Sequence, residues 1–335
     1  MIIQRDVELK PFNTLGLSSR ADYFTEVGSI EELSEVLSFS RERRLKPIFL
    51  GGGSNIVLPA KLDGLLIRVA LRGIRCESSG NERRVTVAAG ENWDALVRYT
   101  LQQGWYGLEN LISIPGSAGA APIQNIGAYG VELSSVLLSV SGWDMHRQAT
   151  RTLSLNDCQL AYRDSVFKGA LRDSFIITEI CLGLSSDPNP QAHYANVADN
   201  LPAGEALTPE LLAATIARIR ADKLPDYVKE PNAGSFFKNP ILTASEGEAL
   251  LSTHPDLAHW SMSDGRIKLA AAWLVDQAGW KGQRSGGVGV HPRQAIVLVN
   301  YGGVDGHAIL GFAAKIQADV LIRFGVNLEI EPRVY

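Results

Sequence analysis

Cysteine is scarce, with three among 335 residues. Cys76, Cys158 and Cys181 are too scattered for a disulfide framework or a cysteine-based zinc site, and they fit a reducing cytosol. A surplus of positive charge is also missing. The formal net charge is -4, so there is no basic field to gather nucleic acid or an anionic membrane surface. The opening MIIQRDVELK has no basic segment followed by an apolar core, so no signal peptide is expected there. Residues 110–131 carry no charge at all. They nevertheless hold Pro115, Pro122, Gln124, Asn125 and four glycines, which is loop composition and not the roughly 20 mostly apolar residues of a membrane span. A soluble, cytoplasmic protein is expected. The dinucleotide fingerprint G-x-G-x-x-G, the phosphate loop G-x-x-x-x-G-K-[ST] and the hydrolase elbow G-x-S-x-G are all absent. The six histidines show no ligand spacing, and His254 and His259 fall in an irregular stretch, so no metal is expected.

What is present is globular: 45% hydrophobic residues and a length suited to two or three domains. Ser29 and Glu32 form a capping box that starts a helix running to about Arg44. PIFL (47–50) reads as a buried strand leading into GGGSN. LLIRVAL (65–71), VTVAAG (85–90) and SFIITEICLGL (174–184) read as further strands. Asn92 to Gln103, closed by Gly104, reads as a helix. The polar, Pro- and Asn-rich run before Thr208 reads as a linker, with a domain boundary near 205. Thr208-Pro209-Glu210 starts a helix that Pro225 stops. IKLAAAWLVDQAG reads as a helix, AIVLVNYG as a strand, and a helix runs from about His307 to Gly325. VNLEIEPRV alternates as a strand, with Val326, Leu328 and Ile330 on one face and Asn327, Glu329 and Glu331 on the other. The fold class is α+β.

Several stretches carry residues suited to chemistry, and each has a plain structural alternative. GGGSN (51–55) follows a strand, and its bare amides suit a phosphate; a tight turn is the alternative. GLENLISIPGSAGAAPIQNIGAYG (107–130) lets backbone approach a flat or charged ligand closely, with Gln124, Asn125 and Tyr129 as polar partners; a flexible loop is the alternative. In YRDSVFK (162–168), Arg163 suits a carboxylate or belongs to a surface ion-pair patch. Arg220 and Lys223 suit a ligand phosphate or the end of a helix dipole. Glu331 is a site acid or a solvated terminal carboxylate. Ser235, in NAGSFFKNP (232–240), is a reactive hydroxyl or a turn serine.

Together with FNTLGL (12–17), KLAAAWLVDQAGWKG (268–282) and LEIEPRV, these motifs resemble the UDP-N-acetylenolpyruvoylglucosamine reductase family over nearly the whole chain. The segment near 250–265 and the region around Tyr194 look like the longer of its two subtypes. The resemblance implies a two-lobed FAD-binding module of the vanillyl-alcohol-oxidase type (lobes 1–67 and 68–205). An α+β substrate domain (206–325) and a C-terminal strand returning to the active site (326–335) would follow. It implies FAD, NADPH as co-substrate and reduction of a UDP-sugar enolpyruvyl ether in peptidoglycan synthesis. Arg163, Ser235 and Glu331 would be catalytic, with Ser235 the proton donor. Gly51, Gly52, Gly53, Ser54 and Asn55 would hold the cofactor, with Ile114, Pro115, Gly116, Ser117, Gly119, Gln124, Asn125, Gly127, Ala128 and Tyr129. Tyr162, Tyr194, Arg220, Lys223, Asn239, Trp260, Gln294 and Arg333 would hold the substrate. Trp260 stands where the family's lid has a tyrosine. Another FAD-dependent oxidoreductase of the same superfamily, or a non-catalytic sugar-nucleotide-binding protein, is the rival reading. The expectation extends to no nucleic-acid or membrane partner; a monomer is compatible with the sequence, which leaves the oligomeric state open.

Overall fold

The structure, a computed structural model, describes residues 2–202 and 204–335; Ala203, inside the expected linker, lies outside them. The chain divides into two compact units that interleave in sequence. The first comprises Met1–Val7, Ala21–Gly53 and Asp63–Asp222, and the second Glu8–Arg20, Ser54–Leu62 and Lys223–Tyr335.

In the first unit, a four-stranded sheet runs in the order Gln4–Glu8, Arg20–Val27, Lys61–Val69, Pro47–Leu50, the last two parallel. Helix Ile30–Glu42 covers it by burying Leu33, Val36 and Leu37 against Val27, Leu65 and Ile67. The capping serine works as the sequence predicts, because Ser29 Oγ accepts the Glu32 N–H at 3.1 Å. Glu32 itself accepts from Gly28 N–H at 2.7 Å. A five-stranded antiparallel sheet follows, in the order Ala149–Ser154, Leu137–Asp144, Phe175–Ser185, Glu82–Ala88, Ile74–Ser79. Its core takes in Leu96 and Val97 of helix Trp93–Gln102 and Leu212, Ile216 and Ile219 of helix Pro209–Lys223. The expected linker is therefore not a spacer. Val197 is fully buried in this core, and the change of unit falls at Asp222–Lys223 instead of near 205.

In the second unit, strands Asn232–Ser235, Gln294–Asn300, Val288–His291 and Arg284–Ser285 form one sheet, in that order. Ile241–Leu242, Ile267–Leu269 and His259–Ser261 form a smaller one, with Ile267–Leu269 central. Here the reading of IKLAAAWLVDQAG as one helix is corrected. Ile267 and Leu269 are buried with Lys268 between them, a period of two, and the helix starts only at Ala271 and ends at Gln277. Helix Ala244–Thr253 was not anticipated, although Thr243 and Glu246 form a complete capping box. Helix Gly306–Phe324 ends as its sequence predicts, at Gly325 with φ +67°. VNLEIEPRV keeps its alternating burial but is not one ladder. Pro332 has no N–H to donate, and only Arg333–Val334 pairs as a strand, parallel to Ile56–Val57. Among the described residues no helix is long and apolar enough to cross a membrane.

Candidate active site

In the first unit, Pro47–Leu50 delivers the chain into three glycines, of which Gly51 and Gly52 meet Gly116 and Ser117. A Cβ on Gly51 would stand 2.5 Å from Ser117 Oγ, and one on Gly52 would stand 2.7 Å from Gly116 Cα. Only glycine allows that approach. Gly53 (φ +64°) and Gly116 (φ +123°) turn the two segments. The amides of Gly52, Gly53, Gly116 and Ser117 make no hydrogen bond among the described residues. The next three amides are spent: Ala118, Gly119 and Ala120 donate to Glu91, Ala89 and Ser117 carbonyls. Four unspent amides on two touching segments form a nest for a diphosphate, so these residues fit the pyrophosphate of FAD. Gly52→Ala should therefore yield folded protein that has lost most of its flavin colour on purification. Wild-type absorbance per folded chain in that variant would rule out the cradle.

The 107–130 segment is more ordered than its composition suggests, with 3-10 turns at Glu109–Leu111 and Ala118–Gln124. Two of its expected cofactor residues serve the frame. A Cβ on Gly119 would lie 2.5 Å from Ala89 Cβ. Asn125, fully buried with φ +44°, gives its amide N–H groups to Glu132 and the Ala161 carbonyl and accepts from Ser134 N–H at 2.9 Å.

Arg163, also left-handed (φ +53°), donates Nη2 to the Gly127 carbonyl at 3.0 Å and lies 5.6 Å from the Tyr162 ring centre. Lys168 Nζ donates to the Arg163 carbonyl at 3.0 Å. Arg220, from helix Pro209–Lys223, donates Nε to the Ser113 carbonyl at 3.3 Å and lies in the electrostatic field of Tyr129. Tyr129 meets Tyr194 edge-on at 5.8 Å. Burial holds the Tyr129 phenol pKa above its usual value. Burial likewise lowers that of Arg220; Tyr129 and Asp94 oppose the shift, and Arg163 adds to it. Two guanidinium groups within each other's field, ringed by tyrosines, suit a carboxylate or phosphate.

In the second unit, Asn232 accepts the Gly234 N–H at 2.9 Å and anchors its own amide on the Glu230 and Pro225 carbonyls. This side-chain turn, with Gly234 at φ +70°, makes a bulge in the pairing with Gln294–Asn300 and ends at Ser235. Ser235 is half-buried, and its hydroxyl makes no hydrogen bond among the described residues. Phe236 and Phe237 behind it are fully buried and packed edge-on at 5.6 Å. Glu331 N–H donates to the Phe236 carbonyl at 2.9 Å, which brings Glu331 to the strand next to Ser235. Lys238 pairs with Glu329. Arg333 N–H donates to the Asn55 carbonyl, and its guanidinium lies 4.4 Å from the Tyr335 ring centre.

The other expected substrate residues of this unit are less gathered. Asn239 Oδ1 accepts the Ala271 N–H at 3.0 Å, holding the start of a helix. Trp260 is exposed under Lys268 at 5.4 Å, Gln294 is half-buried at a strand start, and Lys223 is exposed at its helix end. Sequence reasoning missed Asp94 and Ser113. The only local signal was an acid in the first turn of a helix.

A family model described as "UDP-N-acetylenolpyruvoylglucosamine reductase, C-terminal domain" matches residues 226–335, and one described as "FAD binding domain" matches residues 21–145. Relatives named UDP-N-acetylenolpyruvoylglucosamine reductase come from Chromobacterium violaceum (44% identical, 98% of each chain covered) and Pseudomonas fluorescens (43% identical, 99% of each). A solved reductase of that name from Thermus caldophilus shares the fold, with a TM-score of 0.69 at 24% identity over 100% of this chain and 99% of that one.

Proposed function

The chain belongs to the UDP-N-acetylenolpyruvoylglucosamine reductase family, and on that premise we propose that it reduces UDP-N-acetylglucosamine enolpyruvate to UDP-N-acetylmuramate in peptidoglycan precursor synthesis. Bound FAD would supply hydride transfer, from NADPH to the terminal alkene carbon of the enolpyruvyl group. Everything else falls to side chains of this chain. Hydride arrival leaves an electron pair on the substrate α-carbon, spread into the neighbouring carboxylate as an enolate. Arg163, with its planar fork, and Glu331 are the groups of this chain that would meet that developing charge. Ser235 gives its hydroxyl proton to the α-carbon and takes one back from solvent. Hydride and proton together complete the two-electron reduction. A serine is a weak acid, but an enolate carbon is basic enough to take its proton when the hydroxyl is held in place. Arg220, Tyr129, Tyr162, Tyr194 and Lys223 would bind the anionic parts of the substrate.

The observation that supports this most is Ser235. Its half-buried hydroxyl has no structural hydrogen bond among the described residues, and Glu331 is tied to the next residue's carbonyl. The test is anaerobic absorbance of the purified protein. NADPH should bleach its flavin, and UDP-N-acetylglucosamine enolpyruvate should restore it. Bleaching without restoration would point to another FAD oxidoreductase, and an absence of flavin would point to a binding protein. Lys223→Ala is expected to raise the KM for substrate or NADPH about fivefold, the scale of one exposed charge contact. Unchanged steady-state constants for both ligands would leave Lys223 a surface residue.

A further inference from the structure

We propose that Asp94 is a positioning residue for Arg220, acting through the backbone of Ser113. Asp94 stands in the first turn of helix Trp93–Gln102. Its Oδ1 accepts the Ser113 N–H at 2.7 Å, and its Oδ2 accepts Arg98 Nε at 2.9 Å. Ser113 is in the left-handed region, φ +59°, which residues with a Cβ seldom adopt. A purely local turn would favour glycine there. The carboxylate grips the amide of this residue, and the resulting turn aims its carbonyl at Arg220 Nε, 3.3 Å away. Ser113 thus has the peptide before its Cα fixed through its N–H on Asp94 and the peptide after it fixed through its C=O on Arg220. Arg220 in turn lies in the field of Tyr129, whose ring meets Tyr194.

The same carboxylate acts through space. Arg220 and Arg163 are like charges within each other's field, and Asp94 is the anion that favours the Arg220 cation. Arg98, exposed on the helix surface, completes an i,i+4 pair with Asp94 but touches nothing beyond it in this chain of contacts. Asp94 therefore has two separable effects on the anion patch, one geometric through Ser113 and one electrostatic. An acid that merely complements its helix dipole would have neither.

The kinetic form of this inference rests on the reductase reading, so two measurements are needed. In steady-state NADPH oxidation with UDP-N-acetylglucosamine enolpyruvate, Asp94→Ala should raise the KM for that substrate about tenfold, the lower end for losing a hydrogen bond to a charged group. The turnover number should change far less. Asp94→Asn keeps the acceptor for Ser113 and loses the charge, so it should recover part of the defect. Arg98→Ala should match wild type. In an Arg220→Ala background, Asp94→Ala should add nothing further, because the two residues act in series. The second measurement needs no turnover: solvent exchange of the Arg220 Nε–H by NMR, with the signal identified by its loss in Arg220→Ala. Exchange should quicken at least about tenfold in Asp94→Ala, the scale of that released hydrogen bond. An Asp94→Ala protein with a lower Tm but unchanged KM and unchanged exchange would overturn the proposal, as would fully multiplicative effects with Arg220→Ala. If wild type itself fails to turn over, the reductase reading fails, and the exchange rates alone decide the role of Asp94.

Discussion

Ser235→Ala should leave NADPH bleaching of the flavin near its wild-type rate and slow reoxidation by the enolpyruvyl substrate about 100- to 10,000-fold, the usual range for a lost general acid. The first half-reaction requires no proton from Ser235, and the second cannot finish without one. The substitution is also structurally quiet. Ser235 takes part in the sheet through its backbone, opposite Val297, while the bulge before it is built by Asn232 and Gly234. No hydrogen bond among the described residues is lost when the hydroxyl goes, so folding and flavin content should hold. Ser235→Cys should retain more activity than the alanine variant, since a thiol is also a proton donor. Stopped-flow absorbance on each half-reaction separates the outcomes. Equal slowing of both halves would make Ser235 a structural or cofactor residue. Normal reoxidation in the alanine variant would move the proton donor elsewhere, with Glu331 next in line.

Arg163→Lys should lower turnover at least about 100-fold, the scale of removing one donor that stabilises a developing oxyanion. Lysine keeps the charge and gives up the planar fork. The backbone at this position is left-handed for either residue, so the exchange adds no new strain there. What changes is the number of directions served at once. Arg163 reaches the Gly127 carbonyl with one nitrogen while its planar guanidinium lies beside Tyr162, whereas an ammonium is a single point. Protein yield and flavin content should match wild type. A variant that turns over within a few-fold of wild type would make Arg163 part of a structural patch.

The sequence made local features legible where a short-range rule applies. Ser29, Pro209 and Gly325 mark helix ends by chemistry acting within a few residues, and each marks a helix end in the structure. IKLAAAWLVDQAG misled because strand and helix share one apolar run, and the break at Ala270 carries no Gly or Pro. In the site, Ser235 and Arg163 were readable as chemically suited residues within recognised motifs. The division of labour among the amides was not. Asn125 is committed to Ala161 and Asn239 to Ala271, partners 36 and 32 residues away that no window along the chain can reveal. Asp94 went unseen for the same reason, since its acceptor role is set by Ser113, 19 residues on.

The interleaving of the two units has a consequence for synthesis on the ribosome. Glu8–Arg20 and Ser54–Leu62 emerge early, yet they belong with Lys223–Tyr335. Leu9, Leu15, Leu17 and Leu58 have at most 1% of their surface exposed in the finished fold. Leu15 meets the side-chain amide of Asn300 across 285 residues, and Ile56–Val57 finds its strand partner only at Arg333–Val334. At about 5–20 residues per second, translation leaves these apolar segments without their partners for about 15 s to 1 min. During that interval the first unit's core can close, while these segments remain the exposed, sticky part of the nascent chain. Holdase chaperones should bind this protein there, and release should coincide with synthesis of the last strand.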